Sequence, residues 1–255
     1  RDVFAPLVPE YQRLAGRRGI PLETAERTLG ASGAPAAAML VRSGQADAAI
    51  CGGTSNWWDQ VQSVLPIIPP RADVTRVYGL GCLILRTGTL FLCDTHMVVD
   101  PTAEQIAEMT ILAAEAVENF GIVPKVALLS HSNFGASDSE SARKMRRALR
   151  LLGERAPKLE VDGEMNGESA LVEVIRNRTI SDSRLTGSAN LLVMPTLDAA
   201  NIAFTVLKAA TEALSVGPML LGMSKPIHVL LGSVTARGIV NLSALAARQA
   251  GSLAD

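Results

Sequence analysis

The sequence is poor in the residues that mark specialised classes of protein. Aromatic side chains fill only 4% of its 255 positions, and cysteine occurs three times. Cys51, Cys82 and Cys93 are odd in number and lie in apolar strand-like runs. With no Cys-x-x-Cys or Cys/His cluster beside them, they exclude a disulfide scaffold and a structural zinc site and read as buried thiols. Neither sign of charge is in excess. The 24 Lys and Arg face 25 Asp and Glu, a net charge of −1, and no dense basic tract offers a footprint for nucleic acid. Long hydrophobic runs are missing too: each apolar stretch breaks before the ~18 residues of a membrane span, as Asp198 breaks Leu191–Val206. No signal or transit pattern is read at the amino end. The sequence opens at Arg1 in helix-like sequence, so a cytoplasmic piece of a longer protein is expected.

What is present is core. Hydrophobic residues make up 48% and charged residues 19%, a composition that buries roughly 70–75% of the unfolded surface in a chain of this size. Short β-rich runs alternate with stretches of helical period, which predicts an α/β fold with parallel βαβ units. Strands are expected at Ala48–Cys51, Gly81–Leu85, Leu90–Cys93, Lys125–Ser130, Leu159–Asp162, Asn190–Met194 and Ile227–Leu231. The clearest helix follows Asp100-Pro101-Thr102, where Thr102 and Gln105 have the spacing of a capping box. A second begins near Asp138 with Ala142, Met145, Leu149 and Leu152 inward, and Arg143, Lys144, Arg146, Arg147 and Arg150 elsewhere on its surface. That basic cluster is either a phosphate dock or a solvated face, and the solvated face is the expectation. A third helix, about Thr196 to Leu214, is expected to turn Ile202, Val206, Ala209 and Ala213 inward. The last follows Thr235, with Ile239, Val240, Leu242, Ala246 and Ala247 on its apolar side. The polar loop from Arg176 to Gly187 is the expected place for flexibility or a domain crossing.

The residues exclude several chemistries and name none. Gly79-x-Gly81 precedes a strand instead of following one, so it is no dinucleotide turn, and no Gly-Lys-Ser/Thr phosphate loop occurs. His96, His131 and His228 are far apart, with no metal-ligand spacing, and read as structural. Ser130-x-Ser132 is a hydroxyl-rich strand end without the glycines of a nucleophile elbow. Asp162-Gly163-Glu164 supplies either a general base or a capped turn. Strand ends that lead into helix starts carry free backbone N–H groups. They define a small-molecule site at Gly52-Gly53-Thr54-Ser55, Ser130-His131-Ser132-Asn133 and Asp162-Gly163-Glu164.

Longer strings carry more. Pro101-Thr102-Ala103-Glu104-Gln105, KVALLSHSNFGAS (Lys125–Ser137), VDGEM (Val161–Met165), SANLLVMPTLDAANIAF (Ser188–Phe204) and GPMLLGMSKPIHVLLGS (Gly217–Ser233) follow in this order. From about Tyr11 to Ala247 the chain resembles the phosphate acetyl/butyryl transferase family. It most resembles the phosphotransacetylase-like domain at the carboxyl end of bacterial NADP-dependent malic enzymes. The resemblance implies a two-domain fold similar to that of isocitrate and isopropylmalate dehydrogenases, with parallel or mixed sheets flanked by helices and an interdomain cleft. Residues 1–100 and 205–255 would form an outer domain that lacks its first strands and helices, and 101–204 an inner one.

Active members of the family move an acetyl group between coenzyme A and phosphate, and their matched positions are altered here. The Ser-Arg pair falls on Leu231-Gly232, a later Asp on Gly238, one Arg on Gln62 and another near Ala15, with Arg17 and Arg18 close by. Phosphate needs guanidinium partners and a thiolate needs a base, so the resemblance implies a dead transferase. Its ligand-holding turns remain: Ser130, Ser132, Asn201, Gly217-Pro218, Gly222, Lys225 and Ser233, with Arg237 as a new cation. The implied role is regulatory, with acetyl-CoA as effector of a malic enzyme that forms pyruvate, coupled by ~1–3 kcal/mol. The domain itself would need no cofactor; NADP and a divalent metal would belong to the catalytic half of the same polypeptide. A homodimer or higher homo-oligomer is expected, and Trp57-Trp58 marks either its interface or a core plug. The alternatives are an active phosphate acetyl- or butyryltransferase using Ser233 and Arg237, and an oligomerisation module that binds nothing.

Overall fold

The computed structural model describes residues 3–16, 19–31 and 33–252. In chain order a short 3-10 turn precedes α1 (Val8–Ala15), α2 (Leu22–Ala31), α3 (Gly33–Arg42), β1 (Ala49–Gly52) and α4 (Trp57–Val64). Next come β2 (Tyr78–Leu85), β3 (Gly88–Cys93), α5 (Ala103–Asn119), β4 (Lys125–Leu129), α6 (Glu140–Arg155) and β5 (Glu160–Met165). The chain continues through α7 (Gly167–Leu171), α8 (Glu173–Thr179), β6 (Leu191–Val193), α9 (Leu197–Thr211), β7 (Leu214–Leu221), β8 (Ile227–Leu230) and α10 (Ala236–Ser252). It divides into two compact units, Arg1–Val74 with Gly222–Asp255, and Thr75–Leu221. The boundaries expected near 100 and 205 differ from this division. β2 and β3 pair with each other, and β7 pairs with β2, so all three belong to the middle unit's sheet.

That sheet has the order β5-β4-β6-β3-β2-β7. The first four strands are parallel; β2 and β7 each run antiparallel to the strand before them in the order. Parallel strands are buried on both faces, which is why β6, and β4 after Lys125, read as unbroken apolar runs. One face of the sheet packs Leu92, Ala127, Leu192 and Met165 against Ala200 and Phe204 of α9. The capping box is formed: Thr102 Oγ1 accepts from the Gln105 N–H, and Gln105 Oε1 accepts from the Thr102 N–H at 2.9 Å.

Strand β7 is absent from the sequence reading because Gly217 and Pro218 fall in its middle, and both weaken strand propensity. They form a bulge: Leu80 pairs with Met219 and Cys82 with Val216, leaving the two residues opposite Gly81. Gly217 has φ +113°, and a Cβ there would lie 2.8 Å from the Leu80 carbonyl oxygen.

Three helix faces differ from expectation. On α9, Ile202 and Val206 are 61% and 58% exposed, whereas Ala200 and Phe204 are buried. Asp198, Asn201, Thr205 and Lys208 form one polar stripe and the wide remainder of the helix is apolar, so its period does not single out a buried face; the Phe204 ring does. On α6 the buried residue is Ala148 in place of Leu149. On α10 Leu242, Leu245 and Ala246 are buried, while Ile239 and Val240 face outward. The Arg176–Gly187 loop is also pinned at its ends, not loose. Arg176 is wholly buried and donates to the carbonyls of Ser169 (3.0 Å), Leu185 (2.8 Å) and Gly187 (2.7 Å). The chain crosses between units at 74/75 and 221/222, not here.

The outer unit holds a two-stranded parallel sheet, β1 beside β8, among α3, α4 and α10. Among the described residues no helix is long and apolar enough to cross a membrane.

Candidate functional site

In the outer unit the register Gly52↔Leu230 brings the carboxyl ends of β1 and β8 out side by side. Gly52 sits at φ +94°, and a Cβ there would meet the Leu230 oxygen at 2.9 Å, so only glycine lets the strands part this closely. The Gly53 N–H then donates to the Leu230 carbonyl at 3.1 Å. The turn runs into α4, where Asn56 Oδ1 accepts from the N–H groups of Trp58 (2.9 Å) and Asp59 (3.3 Å). From β8 the chain passes Leu231, half-buried, and then Gly232 and Ser233, both exposed, into α10. Thr235 Oγ1 accepts from the Gly238 N–H at 3.1 Å, and Arg237 stands exposed on the first turn.

The positions that the resemblance matches to the family's catalytic residues carry no ionisable side chain. Leu231 and Gly232 supply neither hydroxyl nor guanidinium, Gly238 is buried, Gln62 is half-buried and Ala15 is buried. Arg17 and Arg18 lie outside the described residues. Lys225 is occupied: its Nζ donates to the carbonyls of Val41 (2.9 Å) and Arg42 (3.4 Å), at the negative end of α3. The Gly222 carbonyl accepts from the Arg71 N–H at 2.8 Å, in a φ +80° turn. Trp57 plugs the core side of α4, its indole N–H donating to the Val229 carbonyl at 2.8 Å, whereas Trp58 is 44% exposed.

In the middle unit the carboxyl ends of β4 and β5 meet at a buried carboxylate. Glu164 has a fully buried side chain. Its Oε1 accepts from Ser132 Oγ (2.8 Å), the Gly135 N–H (3.0 Å) and Arg146 Nη1 (3.0 Å), while its Oε2 is buried without a hydrogen bond. Ser132 Oγ also accepts from the Ser137 N–H at 2.9 Å, and Ser130 Oγ from the Ser132 N–H at 3.2 Å. Both expected serines thus shape the 130–139 loop, and only Ser130 is partly open. Asp162 accepts from Ser183 Oγ (2.7 Å) and the N–H groups of Arg184 (2.8 Å) and Gly163 (2.9 Å). Of the two readings of Asp162-Gly163-Glu164, this geometry is that of a carboxylate-tied turn.

The end of β3 carries a second buried carboxylate. Asp94 accepts from the N–H groups of Gly79 (2.9 Å), His96 (2.9 Å), Met97 (3.0 Å) and Val98 (2.8 Å). Burial raises its pKa, and those four N–H bonds pull it back. Asn201 Nδ2 donates to the neighbouring Thr95 carbonyl at 3.1 Å. Burial pushes His96 and His228 each down to about 4, so both rings are neutral at pH 7. His131 is exposed, with Nε2 3.3 Å from Ser137 Oγ. Burial pushes the Cys51 and Cys82 thiols up to about 12 and Cys93 well above its ordinary value, leaving none as a thiolate. No group of three or more His, Cys, Asp or Glu among the described residues could hold a metal ion.

The basic surface of α6 is largely neutralised. Arg143 and Arg146 pair with Asp138, Lys144 with Asp100 and Arg147 with Glu104. Sequence reasoning missed Asp94, Arg146 as partner of Glu164, and Arg176. Their only signal was an ionisable residue beside an apolar run.

The family model described as Phosphate acetyl/butaryl transferase matches residues 3–247. The chain belongs to that family. It is 48% identical over 95% of its length to an NAD-dependent malic enzyme of Rhizobium meliloti, and 46% identical over 94% to an NADP-dependent malic enzyme of Escherichia coli. It spans about a third of those relatives, 32% of each. A phosphate acetyltransferase of Paracoccus denitrificans is 36% identical over 96% of the chain, which covers 79% of that protein. A phosphotransacetylase from Streptococcus pyogenes superposes with a TM-score of 0.89 at 28% identity, over 98% of this chain and 76% of that one.

Proposed function

We propose that this chain is a phosphotransacetylase-type module of a malic enzyme, which binds acetyl-CoA or a related CoA thioester as an allosteric effector and transfers nothing. The carrying observation is the end of β8. Where a transferase must neutralise phosphate and activate a thiol, this strand end presents Leu231 and Gly232. An alkyl side chain cannot donate to developing charge, and removal of one such donor alone costs about 100- to 1000-fold in rate. The backbone around the position supports binding: glycines at the end of β1, the turn into α4, and the start of α10 with Ser233 and Arg237 exposed. Anionic groups are favoured at such helix starts.

The parent reaction, oxidation and decarboxylation of malate to pyruvate, would be run by a catalytic portion outside these residues, with NADP and a divalent metal held there. Self-association fits the outward apolar face of α9, Ile202 and Val206. The test is calorimetric titration of the chain with acetyl-CoA, followed in the same sample by phosphate addition and assay of free thiol. Binding without thiol release supports the effector reading. Thiol release at a substantial rate makes the chain a transferase, with Ser233 and Arg237 as the first residues to replace. Absence of binding leaves an oligomerisation module.

A further inference from the structure

Of the two tryptophans, Trp57 has a structural task and Trp58 fills no core. Both stand on the first turn of α4, which the Gly52-Gly53 turn sets at the carboxyl end of β1. Trp57 is half-buried, and its indole N–H donates to the Val229 carbonyl of β8 at 2.8 Å. The Trp58 ring lies beside it, with centroids 6.5 Å apart and planes tilted by 40°. One indole is thus pinned close to the end of β8, and the other stands against it. Trp58 is 44% exposed, although an indole gains more from burial than most side chains. Its chain neighbours Thr54, Ser55, Asn56 and Asp59 are all exposed and polar. A surface that docks a protein presents a contiguous apolar patch. A lone indole among hydroxyl, amide and carboxylate groups is not one. Such a setting suits a flat ring with polar edges, which covers its face with carbon and keeps hydrogen bonds at its rim. Asn56 caps α4 through Oδ1, which leaves its side-chain NH2 as a donor two residues from the ring.

We infer that Trp58 is the platform on which the adenine ring of the CoA thioester stacks. The inference rests on the proposed reading that the end of β8 receives such a thioester, and it assigns the part of that ligand which the strand end leaves unexplained. Exposed Arg237 and the helix starts suit phosphate groups. Neither offers a flat apolar face. Trp57 and Trp58 are the only Phe, Tyr or Trp residues from Ala49 to Val64 and from Ile227 to Ser252. With Trp57 engaged on Val229, the exposed ring of Trp58 is the one left for a base. A platform of this kind reads the nucleotide end and is indifferent to the acyl group.

Tryptophan fluorescence reads the contact directly, because the chain has only these two indoles. The chain is titrated with acetyl-CoA, with adenosine bisphosphate as the nucleotide end and with acetyl phosphopantetheine as the other end, alongside calorimetry of acetyl-CoA. Acetyl-CoA and the bisphosphate should quench saturably, and the pantetheine half should not. Trp58→Ala should abolish the quenching and weaken acetyl-CoA and free CoA alike, by roughly 5- to 150-fold, the span of base–aromatic stacking. Trp58→Phe keeps a ring and should restore most of the affinity. Both variants should melt with the natural chain, since residue 58 is exposed. Calorimetric binding of acetyl-CoA that Trp58→Ala leaves unaltered overturns the platform and keeps the effector reading. Absence of acetyl-CoA binding overturns both. An equal loss of affinity for the two halves of the ligand marks a collapsed site and overturns the stacking. Unaltered affinity with altered sedimentation of Trp58→Ala makes the ring an interface instead.

Discussion

Gly81 lies under the ring of Phe204, so close that a Cβ at residue 81 would sit 2.6 Å from the Phe204 Cε2 carbon. Two residues earlier, a Cβ at Gly79 would sit 3.0 Å from Asp94 Oδ1. The Gly79-x-Gly81 pair is thus explained by close packing along one face of β2. Gly81→Ala should lower unfolding stability by about 1–3 kcal/mol, as overpacking does. Combined with Phe204→Leu, which frees the space, the loss should fall short of the sum of the single effects. Urea unfolding of the four proteins measures the coupling. Strict additivity would show that the ring does not set the requirement for glycine.

The Glu164–Arg146 pair predicts a steeper penalty. Glu164 is buried, and Arg146 is only 26% exposed. Arg146→Met removes one of three donors to a carboxylate that cannot reach water, and should cost about 3 kcal/mol, near the low end for a broken buried pair because the arginine is partly solvated. Glu164→Gln with Arg146 retained should cost less, since the neutral amide needs no counter-charge. Chemical denaturation ranks the two; the reverse order would mean that the Ser132 and Gly135 donors, more than the guanidinium, depend on the carboxylate.

These two sites show what could be read in advance. Strands β3, β4, β6 and β8 and the capped start of α5 were legible, because parallel strands and capping boxes write their requirements into neighbouring residues. Faces failed where the apolar arc of a helix is wide, as with Ile202 against Phe204 on α9. Strand β7 was hidden by Gly217 and Pro218, whose bulge exists only opposite Gly81. At the candidate site the resemblance sets Leu231-Gly232 where the family's Ser-Arg pair is expected, and Ser233 and Arg237 sit exposed beside that position. Lys225, tied to the end of α3, and Ser132, tied to Glu164, were not legible as structural. Their partners are 184 and 32 residues distant, and no local pattern encodes such a pairing.

Buried imidazole sets an acid limit on stability. His228 is 1% exposed, with Nε2 2.9 Å from Gln249 Oε1, and its folded pKa of about 4 lies below the ordinary 6.5. The unfolded chain therefore binds a proton that the folded chain refuses, between pH 6.5 and 4. Stability from this group is complete above about pH 6.5 and is lost as the pH falls, on the order of 3 kcal/mol by pH 4. His96 shifts in the same direction. Denaturant midpoints across this range should fall with pH in the natural chain and fall less in His228→Leu. An identical slope in the variant would remove His228 from the account.

Helix α9 has a second face to explain. Ala200 and Phe204 fill the core, yet Ile202 and Val206, one turn apart on the opposite side, are 61% and 58% exposed. A helix apolar on two faces buries one within its own unit and leaves the other for a neighbour. The double substitution Ile202→Glu with Val206→Glu should change unfolding of the chain by no more than about 0.5 kcal/mol, as exposed positions do. If this face joins copies of the chain, the same variant should sediment as a monomer at concentrations where the natural chain associates. Unchanged sedimentation would place any interface elsewhere. A large loss of stability at low concentration would instead show that the face is packed inside the folded chain.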